Sequence, residues 1–296
     1  MSCQPWRILV WDNASIDGSP DRIAQMFPQI CVLPSRTNVG FAAGTNAGIR
    51  RLLQEGADFI WVLNNDTVVD PGCLSALLNA MQAEPDVAAA TGKILCATPP
   101  NRIWYAGADW RPWLLVVKHR GQSETDRGQY DQPVDVDFVS GCCMLARRSA
   151  FEAVGLFDER FFAYSEDVDW CLRARQAGLR LRYVPQAVLW HKVSASLYKN
   201  ALGTSGGTAS PWSYFLTFRN NLIIIRKYAS NWWQSGTALA YLMANALYLS
   251  IGFILLLRLK KLSGLWQGVF CGLMEDLGSG CAWAGLAQGN AQTKRD

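Results

Sequence analysis

Histidine occurs only twice in the 296 residues of this chain, and charged side chains make up 18%. An ordinary soluble domain carries roughly 25%. The net charge of +4 comes without a long Lys/Arg run, which argues against a dedicated nucleic-acid binder. The nine cysteines are odd in number and form no Cys-x-x-Cys pair, so neither a disulfide scaffold nor a zinc site is indicated, and a reducing compartment is the simpler reading. There is no Gly-x-Gly-x-x-Gly and no Gly-Lys-Ser/Thr, so a dinucleotide fold and an NTPase lose ground. The N-terminus shows no basic segment followed by an apolar run, so no secretory signal is read there. No internal repeat or low-complexity run appears.

Apolarity is abundant. Half of the chain is hydrophobic, which excludes a disordered chain, and its length suits one large domain or one domain with an appendage. Much of the excess lies in Ser235–Leu257, which has no charged side chain and closes on Arg258, Lys260 and Lys261. About 20 apolar residues cross a bilayer as a helix. Asn245, Gly236 and Gly252 dilute the run, so spanning helix, interfacial helix and buried helix all stand as readings.

Upstream, strands and helices alternate. Ile8–Val10, Cys31–Leu33 and Phe59–Leu63 read as short apolar strands, and Leu181–Leu189 as a later one. Ser19 is expected to cap a helix with Pro20 at its first position, and Asp70 another with Pro71. Asn46–Gln54 reads as a helix ending at Gly56, and a further helix opens near Glu166 and ends at Gly178. Gly203–Ser210 reads as a loop or boundary. Short connections between such elements predict an α/β domain with a mostly parallel sheet.

In open α/β sheets ligands bind beyond the carboxyl ends of strands. Asp12 follows the first strand and Asn64-Asn65-Asp66-Thr67 follows Phe59–Leu63. Carboxylates there can bond a base or ribose, or hold a divalent cation, although Asp and Asn are equally turn formers. Between them, Asn38-Val39-Gly40-Phe41-Ala42-Ala43-Gly44-Thr45-Asn46 offers small residues that admit a ligand close to backbone. Ser165-Glu166-Asp167-Val168-Asp169-Trp170 places three acids in four positions. Each acid alone suits a helix dipole; together they exceed capping and include a candidate general base. His191 is structural or a metal ligand.

In this order the pieces resemble the family 2 glycosyltransferases, particularly the bacterial rhamnosyltransferase-like branch. The matching stretches are Asp12–Ser19, Asn38–Asn46, Leu63–Thr67, Val139–Leu145, Gly155–Phe162 and Ser165–Arg173, with His191, Ser194 and Ser196. The resemblance implies a GT-A type fold, with a mixed, mostly parallel sheet flanked by helices, plus the C-terminal hydrophobic helical segment. It also implies inverting transfer from a nucleotide-diphosphate sugar donor to a glycan or lipid-linked acceptor. By motif position, Asp167 is the base and Glu166 orients it or the acceptor. Asp12, Asn38, Gly40, Phe41, Asn46, Asn64 and Asn65 fall on the nucleotide-sugar side, and Gly141 and Trp170 on the acceptor side. Asp66 and His191 fall at a divalent metal, Mg2+ or Mn2+. The implied organisation is a catalytic domain over 1–200, a linker with an amphipathic helix over 201–234 and a membrane-associating tail over 235–296.

The branch points to L-rhamnose from dTDP-rhamnose, cell-surface polysaccharide synthesis and the cytoplasmic face of the bacterial inner membrane. Transfer to polyprenyl phosphate is a close rival, although that branch prefers a full Asp-x-Asp where Asn64 stands here. Family members usually begin with another strand and helix before the Asp-Asn-Ala-Ser segment. The expectation is therefore a start assigned too late or a truncated chain. Truncation would leave a weak or inactive sugar-nucleotide-binding membrane protein as the competing reading.

Overall fold

The structure is a computed structural model that describes residues 4–192 and 209–274. Ser194, Ser196, nearly all of the loop expected at Gly203–Ser210 and the tail beyond residue 274 lie outside the described residues. The chain opens with β1 (Leu9–Asp12), α1 (Ser19–Met26), β2 (Cys31–Pro34) and α2 (Gly40–Gln54). β1 and β2 form a parallel pair, Leu9 opposite Cys31 through Asp12 opposite Pro34. Then follow β3 (Phe59–Leu63), β4 (Thr67–Val69), α3 (Cys73–Ala83) and β5 (Val87–Cys96). Short strands come next: β6 (Ile103–Tyr105), the hairpin β7 (Ala108–Arg111) and β8 (Val116–His119), and β9 (Val134–Asp135). β10 (Cys143–Arg147), α4 (Arg148–Val154), α5 (Glu166–Gln176) and β11 (Arg180–His191) complete the sheet domain.

The larger sheet runs β3-β10-β5-β11-β4, with β6 on β5 and β9 on β11. It is mixed: β5 and β11 pair in parallel and the remaining pairs are antiparallel. β5 is buried at every position, as its run Val-Ala-Ala-Ala requires in a strand covered on both faces. Leu77 and Met81 of α3, Met144 of β10 and Trp170 of α5 pack into this core.

Three helix starts differ from expectation. Ser19 is the first residue of α1 rather than its cap; Gly18, at φ 72°, takes the cap position, and Asp17 accepts the Ser19 N–H. α2 begins at Gly40, six residues before Asn46, because the small residues of 40–46 are themselves helical. Asp70 accepts the Gly72 N–H at 2.8 Å in a turn that precedes α3. The helix end at Gly178 is as read: its φ is 76° and its N–H reaches the Arg175 carbonyl at 2.9 Å.

Beyond residue 208 lie α6 (Pro211–Tyr228), α7 (Trp232–Leu255) and α8 (Leu259–Met274). They share an apolar core with Leu115 and Phe161 of the sheet domain. α6 lies in the stretch read as linker and amphipathic helix, and it is docked on the domain. The fully buried Asn220 donates to the carbonyls of Phe161, Ala163 and Tyr164. Lys227 pairs with Asp158 and with the fully buried Asp169, and Tyr228 Oη donates to Asp169 at 2.7 Å. α7 is long and apolar enough to cross a membrane by length and composition. Its Ala238, Leu242, Ala246 and Phe253 face the bundle, and Thr237 Oγ1 donates to the Trp113 carbonyl at 2.7 Å.

Candidate active site

Strand register assembles the first half of the site. Cys143 pairs with Leu63, so the residues just before β10 meet those just after β3, and the Asn64 N–H donates to the Cys142 carbonyl at 3.1 Å. One residue back, the Gly141 N–H donates to Asp167 Oδ2 at 2.9 Å. A Cβ on Gly141 would stand 3.3 Å from that oxygen, so glycine lets the first turn of α5 approach this backbone. Asp167 Oδ1 accepts the Val168 N–H, also at 2.9 Å. At the opposite edge of the sheet from β3, Thr67 of β4 pairs with His191 of β11. That register sets His191 Nε2 3.0 Å from Asp66 Oδ1. Asn65 is exposed between them, and Thr67 Oγ1 closes the turn on the Asn64 carbonyl at 2.7 Å.

The two acids at the start of α5 differ. Glu166 is 5% exposed, and its Oε2 has no hydrogen-bond partner among the described residues. Burial, reinforced by the neighbouring Asp167 charge, pushes the Glu166 carboxyl well above its usual range. Burial also raises Asp167, but the Gly141 and Val168 N–H groups oppose it by favouring the ionised form. The arrangement therefore suits a charged Asp167 beside a protonated Glu166, titrating as a pair.

Burial likewise pushes His191 below its ordinary value, with Asp66 opposing. A neutral imidazole is the form that binds a metal. Its Nδ1 is buried without a hydrogen-bond partner among the described residues, and the ring stands edge-on to Trp104 at 4.8 Å. Among the described residues no three His, Cys, Asp or Glu groups gather to hold a metal ion. Asp66 and His191 thus fit a cation that takes two protein ligands and completes its shell from substrate phosphates and water.

The β1 side supplies a second cluster. Asp12 closes the turn after β1 by accepting the Ser15 N–H. Asn38 accepts the Gly40 N–H at 3.0 Å. Asn13, which sequence reading passed over, ties β1 to α2 by donating to the Gly40 carbonyl and accepting the Val39 N–H. Gly40 has φ 86°, and a Cβ there would lie 2.6 Å from the Phe162 ring. The Ala42 N–H donates to the Phe162 carbonyl at 3.0 Å, so α2 is seated on the segment that leads into α5. Phe162, Tyr164 and Ser165 all have positive φ, a conformation that non-glycine residues rarely adopt. Asn220 clasps that segment; its only sequence signal is the polar Arg219-Asn220-Asn221 triplet inside an apolar helix.

Two expected site residues do other work. Asn46 is fully buried, donates to the Phe157 carbonyl and Glu159, and accepts the Phe157 N–H at 3.0 Å. It is an interior clamp, with no face toward a nucleotide. Trp170 is fully buried against Phe151, and its indole N–H donates to the Gly155 carbonyl at 3.0 Å. Facing the core removes it from the acceptor side. Phe41 is half-buried and packs on the domain core.

Comparison with known proteins shows the family. The pattern described as glycosyl transferase family 2 matches residues 2–155, more than half of the chain. That stretch holds Asp12, Asn38, Asp66 and Gly141, while Asp167 and His191 lie beyond it. Over 220 residues the chain is 32% identical to the N-acetylglucosaminyl-diphospho-decaprenol L-rhamnosyltransferase of Mycobacterium tuberculosis (strain CDC 1551 / Oshkosh), spanning 65% of this chain and 69% of that protein. It is 25% identical over 222 residues to the dTDP-rhamnosyl transferase RfbF of Shigella flexneri, spanning 74% of this chain and 71% of that one. Among solved structures, GalNAc-T7 with UDP, GalNAc and Mn2+ superposes with a TM-score of 0.53 at 14% identity, over 74% of this chain and 41% of that one. At that identity the likeness is one of fold, and the fold is GT-A. The chain is a glycosyltransferase and belongs to glycosyl transferase family 2.

Proposed function

We propose that this protein transfers L-rhamnose from dTDP-rhamnose to a lipid-linked glycan acceptor in the synthesis of a bacterial cell-surface polysaccharide, with inversion at the anomeric carbon. The observation that carries the reading is the short run from Asn64 through Cys142 and Gly141 to Asp167, with Asp66 two residues after Asn64 and bonded to His191. The 32% identity to a rhamnosyltransferase whose named acceptor is a diphospho-decaprenol favours the donor sugar and the acceptor class. The exposed apolar face of α7 favours work at a membrane, on the cytoplasmic side where nucleotide sugars are made.

Asp167 is the base. Its two backbone donors hold the carboxylate in place, while burial keeps it basic enough to take a proton. Asp167 accepts the proton of the acceptor hydroxyl as that oxygen bonds to the anomeric carbon. The bond from that carbon to the diphosphate breaks on the opposite face, and the nucleoside diphosphate leaves with the electron pair. Glu166 retains its proton and adds no second charge beside the base. Asp66 and His191 would hold Mg2+ or Mn2+, which supplies charge neutralisation at the leaving diphosphate. Asp12 is assigned to the nucleobase, Asn38 and Gly40 to the nucleotide, and Asn64 and Asn65 to the donor sugar and diphosphate. A single base suffices for one displacement, unlike the two carboxylates of a glycosidase.

The test is sugar transfer by the full chain from dTDP-, UDP- and GDP-linked sugars, with and without Mn2+, to lipid-linked and water-soluble acceptors. Transfer is expected from dTDP-rhamnose to the lipid-linked acceptor. Asp167→Asn should cut turnover by about 10²–10⁴-fold and leave donor binding intact. Donor binding without transfer by the unaltered chain would sink the enzymatic reading.

A further inference from the structure

Three of the four residues that lead into α5 have left-handed backbone: Phe162 at φ 62°, Tyr164 at 68° and Ser165 at 70°. None is glycine, so each conformation is unfavourable by itself and persists only where the surroundings impose it. Ser165 holds the cap position of α5, and its side chain caps nothing. The constraint comes from one amide of α6. Asn220 Nδ2 donates to the carbonyls of Phe161, Ala163 and Tyr164 at 3.0, 2.9 and 2.6 Å. Asn220 Oδ1 accepts from Arg219 Nη1 at 2.9 Å, and the same nitrogen donates to the Arg160 carbonyl at 2.7 Å. Both side chains are fully buried. Arg219 thus fixes which way the amide points, since a flipped amide would turn its oxygen toward three carbonyls.

The turn held in this way belongs to both halves of the site. On one side the Phe162 carbonyl accepts the Ala42 N–H, in the first turn of α2, at 3.0 Å. On the other the Ser165 carbonyl accepts the Asp169 N–H at 2.9 Å, opening the helix turn that carries Glu166 and Asp167. Asp167 Oδ2 meets the Gly141 N–H at 2.9 Å, a contact that a small shift of that turn would break. We infer that Asn220 is a positioning residue for the reaction: its amide, oriented by Arg219, fixes the turn that sets Asp167 against the α2 side of the site. The inference rests on the assignment of Asp167 as the base. A clasp needed for stability alone could act anywhere between α6 and the sheet domain; this one acts on the strained residues immediately before the acid pair. Displacing a reacting group by about 1 Å lowers rate by on the order of 10²-fold.

Asn220→Ala removes the donors. Asn220→Asp keeps the shape and gains a charge partner in Arg219 but can no longer donate to the three carbonyls, and it carries the test if the alanine variant does not fold. Leu77→Ala, a core truncation in α3, controls for lost stability alone. In the full chain, kcat per folded molecule for transfer from dTDP-rhamnose to a lipid-linked acceptor should fall about 10–100-fold in both Asn220 variants. Donor KM should stay near its original value, and Leu77→Ala should keep its kcat. Amide hydrogen exchange at Gly141, read without substrate, should accelerate about tenfold relative to the β5 amides in the Asn220 variants and not in Leu77→Ala. An unchanged kcat, or a fall that Leu77→Ala reproduces, overturns the role, and so does Gly141 exchange that moves only in step with β5. Transfer by the unaltered chain is scored separately. Its absence would remove the transferase assignment, and exchange at Gly141 would then decide by itself whether Asn220 sets the position of Asp167.

Discussion

Glu166 concentrates the conflict between stability and chemistry in this molecule. A carboxyl 5% exposed, with one oxygen unpartnered among the described residues, is a buried polar group without full compensation. Its raised pKa means that the folded chain keeps a proton the unfolded chain has already lost. Between the unfolded and folded values the folded state binds more protons, so this group's contribution to stability falls as pH rises through that interval. Glu166→Gln removes the titration while keeping the shape. Thermal melts should show the variant roughly a few degrees more stable than the parent near about pH 8, with the gap closing toward about pH 4. A gap independent of pH would mean that Glu166 is ordinarily ionised. The acid pair itself was visible in sequence as three acids in four positions. The inequality between its members was not, because it depends on Gly141 and Val168 donating to one carboxylate and on burial of the other.

At the scale of elements, α6, α7 and α8 are an extension of the sheet domain. α8 presents Gly264, Gly268 and Gly272 at every fourth residue, and a Cβ on any of them would run into α6, against the carbonyls of Pro211 and Phe215 or the Leu222 side chain. The absence of side chains lets two helix backbones touch. α6 in turn holds the strained segment before α5 through Asn220 and grips α5 itself through Lys227 and Tyr228. Gly268→Val should therefore push α8 off α6 and cost about 1–3 kcal/mol in urea unfolding, the usual penalty of overpacking. Hydrogen exchange should also accelerate in residues 161–165, which α6 holds through Asn220; unchanged exchange there would show that α6 holds without α8. The strand–helix alternation that yields the α/β domain was legible from apolar runs and from the glycine at 178. Helix starts were less so: the 40–46 stretch reads as a loop by composition, yet it is the first two turns of α2 because Asn13 and Asn38 satisfy its opening N–H and carbonyl groups. α6 escaped as a docked element because its partners, the carbonyls of 160–164, lie far away in the chain.

At the scale of the whole molecule, the apolar excess resolves into two faces of one bundle. One stripe of α7 is buried against α6 and α8, and Thr237 and Gln234 fasten its start to the hairpin turn at Pro112 and Trp113. The opposite stripe is exposed, and Trp113, Trp232 and Trp233 cluster at the same end. Aromatic rings of this kind favour the membrane–water interface. A helix fastened this way suits lying in the interface better than crossing it. Ile251→Asp with Leu255→Asp should lower binding to vesicles of phosphatidylglycerol and phosphatidylethanolamine by about tenfold or more, with melting unchanged because both side chains point outward. Retained vesicle binding would move the membrane contact elsewhere. Removal of everything after Ser235 is a poor test by comparison, since it would strip α8 from α6 and uncover the shared core.

The sequence by itself determined the class of fold and the family, because these rest on local runs and on short motifs in a fixed order, and it singled out Asp66, Asp167 and His191 as candidates. Tertiary structure decided what no local pattern encodes. Register across β4–β11 and β3–β10 brought Asp66 to His191 and the Gly141 segment to Asn64. Burial turned Asn46 and Trp170 inward, away from any ligand. The packing of a hairpin on two distant helices opened cavities along α6 and α7. Each of these is set by contacts between residues tens of positions apart, where periodicity and motif spacing carry no information.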